Sequence, residues 1–228
     1  MSLSKGKIKK YSLLKHKKYR EKEGLFLVQG RKAVNDVSDL FDIEETITDR
    51  SDIEKISTLE NLPNIITVCH IPRKDIPLIV NGNNFYLVLD GIQDPGNLGT
   101  IIRTAHWFGI KQIFCSEDTV DVYNPKTIQS TMGSIGKIDI KYCNLIELFD
   151  NNKNINVYGL SLAGEDIFKI NGVEPGFIVM GNEGHGLRAS TQNQLTHLFT
   201  IPPKNNEDKP ESLNVAIATA ITLAQLIK

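Results

Sequence analysis

Hydrophobic positions along the chain fall into short apolar runs separated by segments of helical period. LFLVQG at 25 to 30, ETITD at 45 to 49 and IITVCH at 65 to 70 read as strands. Between and before them, an amphipathic basic helix is predicted from Lys7 to Glu23, stopped by Gly24. A second is predicted from Arg31, and a third over SDIEKISTLENL with Ser51 as its cap. This is an alternating α/β module of residues 1–80. NGNN at 81–84, four turn-forming residues between apolar runs, reads as a linker.

From residue 85 to 228 the runs are longer and apolar without alternation. FYLVLDGI, KQIFCS, INVYGLSL, GFIVMG and LFTIPP suit strands covered on both faces. Helix-like segments lie between them, so a second α/β domain with a parallel sheet is predicted. The last stretch, IPPKNNEDKPESLNVAIATAITLAQLIK, reads as a charged loop feeding an apolar helix. Ser212 has the type of an N-cap and Asn214 falls in the first turn. Its many alanines predict burial, on as many as two faces.

Composition adds little: hydrophobic residues make up 40%, charged residues 23%, and the net charge is -1. The distribution of charge says more. Lys5, Lys7, Lys9, Lys10, Lys15, Lys17, Lys18, Arg20, Lys22, Arg31 and Lys32 crowd the beginning, where only Glu21 and Glu23 oppose them. Such a patch can hold RNA or DNA phosphates, or it can be a solvated helix face. Cys69, Cys115 and Cys143 are isolated, which suggests neither a disulfide framework nor a zinc site. With no apolar span and no signal-like start, a soluble cytoplasmic protein is expected.

Ligands in open α/β sheets bind outside the carboxyl ends of the strands, and three segments there carry candidate chemistry. In DGIQDPGNLGTIIRTAHWFGI, residues 90 to 110, Pro95 and Gly96 turn the chain, and Asn97 has a capping type. Gly99 permits close approach, and Arg103 sits in an apolar helix whose Trp107 and Phe108 read as core. In GFIVMGNEGHGL a strand breaks into a glycine-rich loop carrying Glu183. Its spacing fits neither a dinucleotide fingerprint nor a phosphate loop. The five histidines are scattered, and His185 in this loop is the one placed near a ligand. The third segment is the isoleucine-proline and serine-leucine-asparagine pair around 201 to 214.

The ordered set N-x-G-x-x-x-R, G-N-E-G-x-G-L and I-P…S-L-N-V-A-x-A resembles the SpoU-type, or TrmH-type, RNA ribose 2′-O-methyltransferases of the SPOUT class. KYREKEGLFLVQGRKAV resembles the small substrate-binding domain that many of these enzymes carry in front. The resemblance implies an α/β fold with a deep trefoil knot in the catalytic domain, an arrangement otherwise nearly absent from proteins. It also implies a homodimer formed through the knotted helices. S-adenosylmethionine would be held by backbone at Gly181, Ile201 and Leu213, and no metal is needed. The family's polar site residues map onto Asn97, Arg103, Glu183, Ser212 and Asn214. KNNEDKPE at 204–211 departs from close relatives, which often have a shorter loop there.

The implied reaction is attack of a ribose 2′-hydroxyl on a sulfonium methyl, which requires help with the hydroxyl proton. Arginine remains protonated, so Arg103 is expected to act as a cation on the RNA phosphate and the developing oxyanion. Asn97 would orient it, a phosphate oxygen or Glu183 would accept the proton, and Ser212 and Asn214 would position the ribose. A non-catalytic RNA-binding or ribosome assembly protein on the same fold is the alternative, and a nicotinamide oxidoreductase is disfavoured by the missing fingerprint. Whether the RNA is ribosomal or transfer RNA is left open.

Overall fold

Two sheets of opposite pairing sense form the structure, a computed structural model that describes residues 2–205, 208 and 210–227. The first unit comprises α1 (Lys5–Ser12), a 3-10 turn (Leu13–Lys15), α2 (Lys17–Glu23), β1 (Leu25–Gln29), α3 (Arg31–Val37), β2 (Ile43–Ile47), α4 (Arg50–Ile56) and β3 (Ile66–His70). Its strands lie in the order β1-β3-β2, and both pairings are antiparallel.

Several local expectations change here. The basic segment is two helices, because His16 takes an extended conformation (φ -101°, ψ 132°) and ends the first. Asp49, not Ser51, caps α4: its carboxylate accepts from the backbone N–H groups of Ser51 and Asp52, which also suits the helix dipole. Arg20 leaves the basic patch altogether. It is 2% exposed, donates from Nε to Asp121 Oδ2 at 2.8 Å and from Nη1 to the Leu14 carbonyl at 2.7 Å, and so ties the first unit to the second.

The second unit comprises β4 (Tyr86–Asp90), α5 (Pro95–Trp107), β5 (Gln112–Ser116), α6 (Pro125–Thr131), β6 (Asp139–Cys143), α7 (Leu145–Asp150) and β7 (Asn156–Asp166). A 3-10 turn (Ile167–Lys169), β8 (Gly176–Gly181), α8 (Ala189–Gln192), β9 (His197–Thr200) and α9 (Val215–Leu226) follow. Its six-stranded sheet has the order β6-β5-β4-β8-β7-β9 with every pairing parallel. β6 is a strand that the apolar runs do not announce. It lies at the edge, half-buried, and carries Asp139 and Lys141. Edge strands tolerate such charges because one side of their backbone faces water.

One hydrophobic core runs through both units, with Phe26 packing edge-on to Phe41 (5.1 Å between centroids) and against Tyr123 (4.7 Å). Residues 81–84 form an exposed turn, while the chain before them is anchored on Asn152, just after α7. Asn152 Nδ2 donates to the Leu78 carbonyl at 2.7 Å, and Asn152 Oδ1 accepts from Val80 N–H at 3.0 Å.

The final helix packs on α5 and buries one face, Val215, Ala216, Thr219, Thr222, Leu223 and Leu226. Its other face is open, with Ile217 52% exposed. Trp107 also departs from its predicted core position and is 86% exposed, whereas Phe108 is half-buried against the core. Of the loop 204–211, residues 206, 207 and 209 lie outside the described residues.

Candidate functional site

The chain leaves β4 toward β5 and β6 on one side, and later fills the other side with β8, β7 and β9. The switch therefore falls between β4 and β8, and a crevice is expected beyond their carboxyl ends. Three segments converge there: 91–94 after β4, 182–186 after β8, and the start of α9.

Asp94 caps α5, accepting from Asn97 N–H at 2.8 Å, and Pro95 occupies the first turn, where a missing N–H is harmless. The cap expected of Asn97 thus belongs to Asp94. Asn97 is freed for other work: its Nδ2 donates to Glu183 Oε1 at 3.0 Å, and its Oδ1 accepts from Asn214 Nδ2 at 2.9 Å. Asn214 in turn caps α9, its Oδ1 accepting from Ala216 N–H at 2.9 Å and Ile217 N–H at 3.3 Å. The cap placed on Ser212 therefore belongs to Asn214. The direction of this relay follows from the carboxylate, which can only accept: both amides must point their NH2 groups toward Glu183.

Glu183 also accepts from the backbone N–H groups of Gln93 and Asp94, each at 3.2 Å. Burial pushes its carboxyl up, but the hydrogen bonds from Asn97 and from backbone N–H groups outweigh this and hold it below the ordinary carboxylate value. It sits in a loop built to be rigid. Asn182 and Gly186 exchange two backbone hydrogen bonds of 2.9 Å, Asn182 Nδ2 donates to the Gly91 carbonyl at 2.7 Å, and Asn182 Oδ1 accepts from Gly184 and His185 N–H. Glycine is required at 181, since a Cβ there would lie 2.4 Å from the Gly186 carbonyl carbon and 2.5 Å from Leu187 N.

Arg188 closes the loop. Its N–H donates to Asp90 Oδ2 at 3.1 Å, its Nε lies 3.4 Å from Asp90 Oδ1, and its guanidinium also pairs with Asp118. A hydrogen bond from Arg188 leads the causes that hold the Asp118 carboxyl below its ordinary value. Beside the loop opens a cleft of about 770 Å³ whose walls include Asp94, Asp118, Glu183, His185 and Arg188.

Arg103 stands apart from this network. It is exposed on α5, and among the described residues it has no hydrogen-bond or ion-pair partner. Both ends of the Asn97 amide are committed to Glu183 and Asn214, so Asn97 does not hold Arg103. Ser212 is likewise exposed and unpaired among the described residues. Of the backbone positions, Gly181 ends β8, Ile201 is half-buried against the main core, and Leu213 is 45% exposed immediately before Asn214.

Asn182, Asp94, Asp118 and Arg188 escaped the sequence reading. Asp-Pro before a helix is a recognisable cap signal, but the pairing of Arg188 with Asp118 spans 70 residues and leaves no local trace.

The cysteines are free and buried, and burial pushes the Cys143 thiol up to about 11 and Cys69 up to about 12. Such thiols are poor nucleophiles.

Comparison with known proteins gives consistent matches. The SpoU rRNA Methylase family model matches residues 84–224, and a MRM3-like substrate binding domain model matches residues 5–76. The chain is 31% identical to the 23S rRNA (guanosine(2553)-2'-O)-methyltransferase RlmP of Bacillus subtilis (strain 168), over 96% of this chain and 95% of that protein. It is 29% identical to a 23S rRNA (guanosine-2'-O-)-methyltransferase RlmB of Yersinia pestis, over 68% and 65% of the two chains. Among solved structures, an AdoMet-bound rRNA methyltransferase from Sinorhizobium meliloti superposes with a TM-score of 0.86 at 29% identity, covering 99% of this chain and 95% of that one.

Proposed function

Because the chain belongs to the SpoU rRNA methylase family, an S-adenosylmethionine-dependent RNA ribose 2′-O-methyltransferase family, we propose that its substrate is 23S ribosomal RNA, methylated at a guanosine ribose. The observation that carries this choice is the relation to RlmP, which extends along nearly the whole of both chains and so includes the part that selects RNA. Residues 1–80 serve as the RNA-selecting unit, and 85–228 as the knotted methyltransferase domain.

Gly181 ends β8, Ile201 follows β9 and Leu213 precedes Asn214, the cap of α9; their backbone N–H and C=O groups would hold the cofactor, and the Ile201 and Leu213 side chains would offer it an apolar flank. When bound, S-adenosylmethionine supplies an electrophilic sulfonium methyl. The chain must then position the ribose and manage its hydroxyl proton.

Glu183 is a poor base, because three donors occupy its oxygens and its proton affinity is depressed. We assign it the task of fixing Asn97, and through Asn97 the start of α9, so that Ser212 and Asn214 present a set geometry to the ribose. Arg103, protonated and unpaired among the described residues, holds the RNA phosphate and steadies charge developing on the 2′-oxygen. A non-bridging oxygen of that phosphate accepts the proton.

A homodimer formed on α5 and α9 completes the proposal. Trp107, Leu213 and Ile217 are large apolar side chains left open on or next to these helices, a setting in which burial by a second copy would be favourable. Action in the cytoplasm, where ribosomal RNA is assembled, accompanies this reading. Among the described residues no helix is long and apolar enough to cross a membrane.

The experiment is transfer of labelled methyl to total RNA from cells lacking the protein, followed by mapping. An alkali-resistant linkage at one 23S guanosine is the expected result. Labelling confined to transfer RNA would overturn the choice of substrate, and absence of labelling would favour an RNA-binding assembly factor.

A further inference from the structure

We infer that the cleft between the basic N-terminal turn and the loop after β5 receives a single-stranded stretch of RNA adjoining the methylated nucleotide. The inference rests on the RNA methyltransferase reading and specifies where the substrate runs.

The cleft has a volume of about 750 Å³. Lys15, His16, Lys18 and Tyr19 line one wall, and the segment from Glu117 to Asp121 the other. It adjoins the reaction site, because Asp118 lines both this cleft and the one that holds Glu183. At its far end Lys15 and Asn124 also line a third hollow, of about 620 Å³, which includes Lys126. Through these shared residues the three hollows neighbour one another in series, from the first unit toward the catalytic loops.

The charges along the path favour a polyanion, although its floor is rich in acids. Asp121 is neutralised by Arg20, and Asp118 pairs with Arg188, a guanidinium it shares with Asp90. Lys15 and Lys18 have no ion-pair partner among the described residues, and Lys17 meets exposed Glu21 at 3.8 Å and lies 6.0 Å from the centre of the Tyr142 ring. Glu117 has no ion-pair partner among the described residues. The four cations of the lining, Lys15, Lys17, Lys18 and Arg20, nevertheless outnumber its three acids, Glu117, Asp118 and Asp121, and the buried Arg20–Asp121 pair contributes by removing an anion that would repel phosphate.

An aromatic wall decides between single strand and duplex. The Tyr19 ring is half-buried in the cleft, with Lys18 Nζ 5.0 Å from its centroid and the His16 ring 6.3 Å away. A lysine beside an aromatic face inside a concave site matches a strand whose phosphates meet lysines while an unstacked base lies on the ring. A duplex would present only its backbone. The extended backbone of His16, which breaks the basic segment into two helices, brings Lys15 and Lys18 to the same wall.

The test uses the full chain, with fluorescence anisotropy on an unstructured oligoribonucleotide and on an RNA duplex of equal length. Calorimetric titration with S-adenosylmethionine serves as the control for an intact site. Lys15→Gln/Lys18→Gln is expected to weaken single-strand binding roughly ten-fold and to lower the salt slope by about 1.4. Tyr19→Ala is expected to lose roughly ten-fold, with Tyr19→Phe retaining affinity because the ring remains. The inference is overturned if these variants bind single strands like the parent while the parent binds and methylates RNA, or if the parent prefers the duplex. A parent chain that neither binds nor methylates RNA would overturn the underlying reading as well.

Discussion

Glu183 and Asn97, 86 residues apart in sequence, are joined by a 3.0 Å hydrogen bond that links the loop after β8 to the first turns of α5. Through the other end of the same amide, Asn97 reaches Asn214, the cap of the last helix. One carboxylate thus sets the relative position of three segments, and the consequences can be measured.

Replacing Glu183 by Gln removes the anion that orders the relay and presents an NH2 group to donors already there. Methyl transfer should fall about 100-fold, since both the first turn of α5 and the cap of α9 lose their reference point. The pH dependence is specific. A carboxyl held below its ordinary value of 4.5 adds stability that is present above that pH and disappears as the pH falls through its folded value. The parent's advantage in melting temperature over Glu183→Gln should therefore be full near pH 7 and shrink below about pH 4.5. A constant difference from pH 7 to pH 3 would show that the charge of Glu183 is not what the relay uses.

Arg103 should separate activity from stability. Arg103→Lys is expected to lower the methyl-transfer rate by about 100-fold, because an ammonium cannot reproduce the planar fork. The unfolding free energy should stay within about 0.5 kcal/mol, as befits an exposed side chain without a partner among the described residues. Affinity for S-adenosylmethionine, read by calorimetry, should be unchanged. Near-normal turnover by the lysine variant would remove Arg103 from the role assigned to it.

The buried pair of Arg20 and Asp121 should behave as a structural weld between the two units. Arg20→Met strands a largely buried carboxylate and should cost about 3–5 kcal/mol in denaturant unfolding. The double change Arg20→Met/Asp121→Leu should recover much of that loss, because the burden lies in the unpaired charge. If both variants unfold alike, the pair is not the element that joins the units.

Self-association offers a fourth check. Ile217→Asp, placed on the open face of α9, should convert a dimer to a monomer in sedimentation analysis and leave the secondary structure unchanged. An unaltered sedimentation profile would place the interface elsewhere.

Much of the fold was legible because its signals are local. Continuous apolar runs such as YLVLD and FIVM suit strands covered on both faces, and their alternation with helix-like segments indicates a parallel α/β sheet. The three motifs likewise announced the family through residue type and order. Where several residues could serve one local purpose, residue type alone does not choose among them. Asn97, Ser51 and Ser212 are all good capping types, yet Asp94, Asp49 and Asn214 hold those positions. A cap is decided by where the backbone turns, and here that lies two or three residues from the expected position.

The sequence by itself determined five of the six strands of the central sheet, the family, and the polar residue types of the site, because side-chain chemistry and periodicity are written along the chain. Only the tertiary structure decided which of those residues touch. It joined Glu183 to Asn97 and Asn214, left Arg103 free of partners among the described residues, and exposed Trp107. It also withdrew Arg20 from the basic patch to neutralise Asp121, 101 residues away. Contacts between distant segments depend on how the units pack, and no local pattern records that geometry.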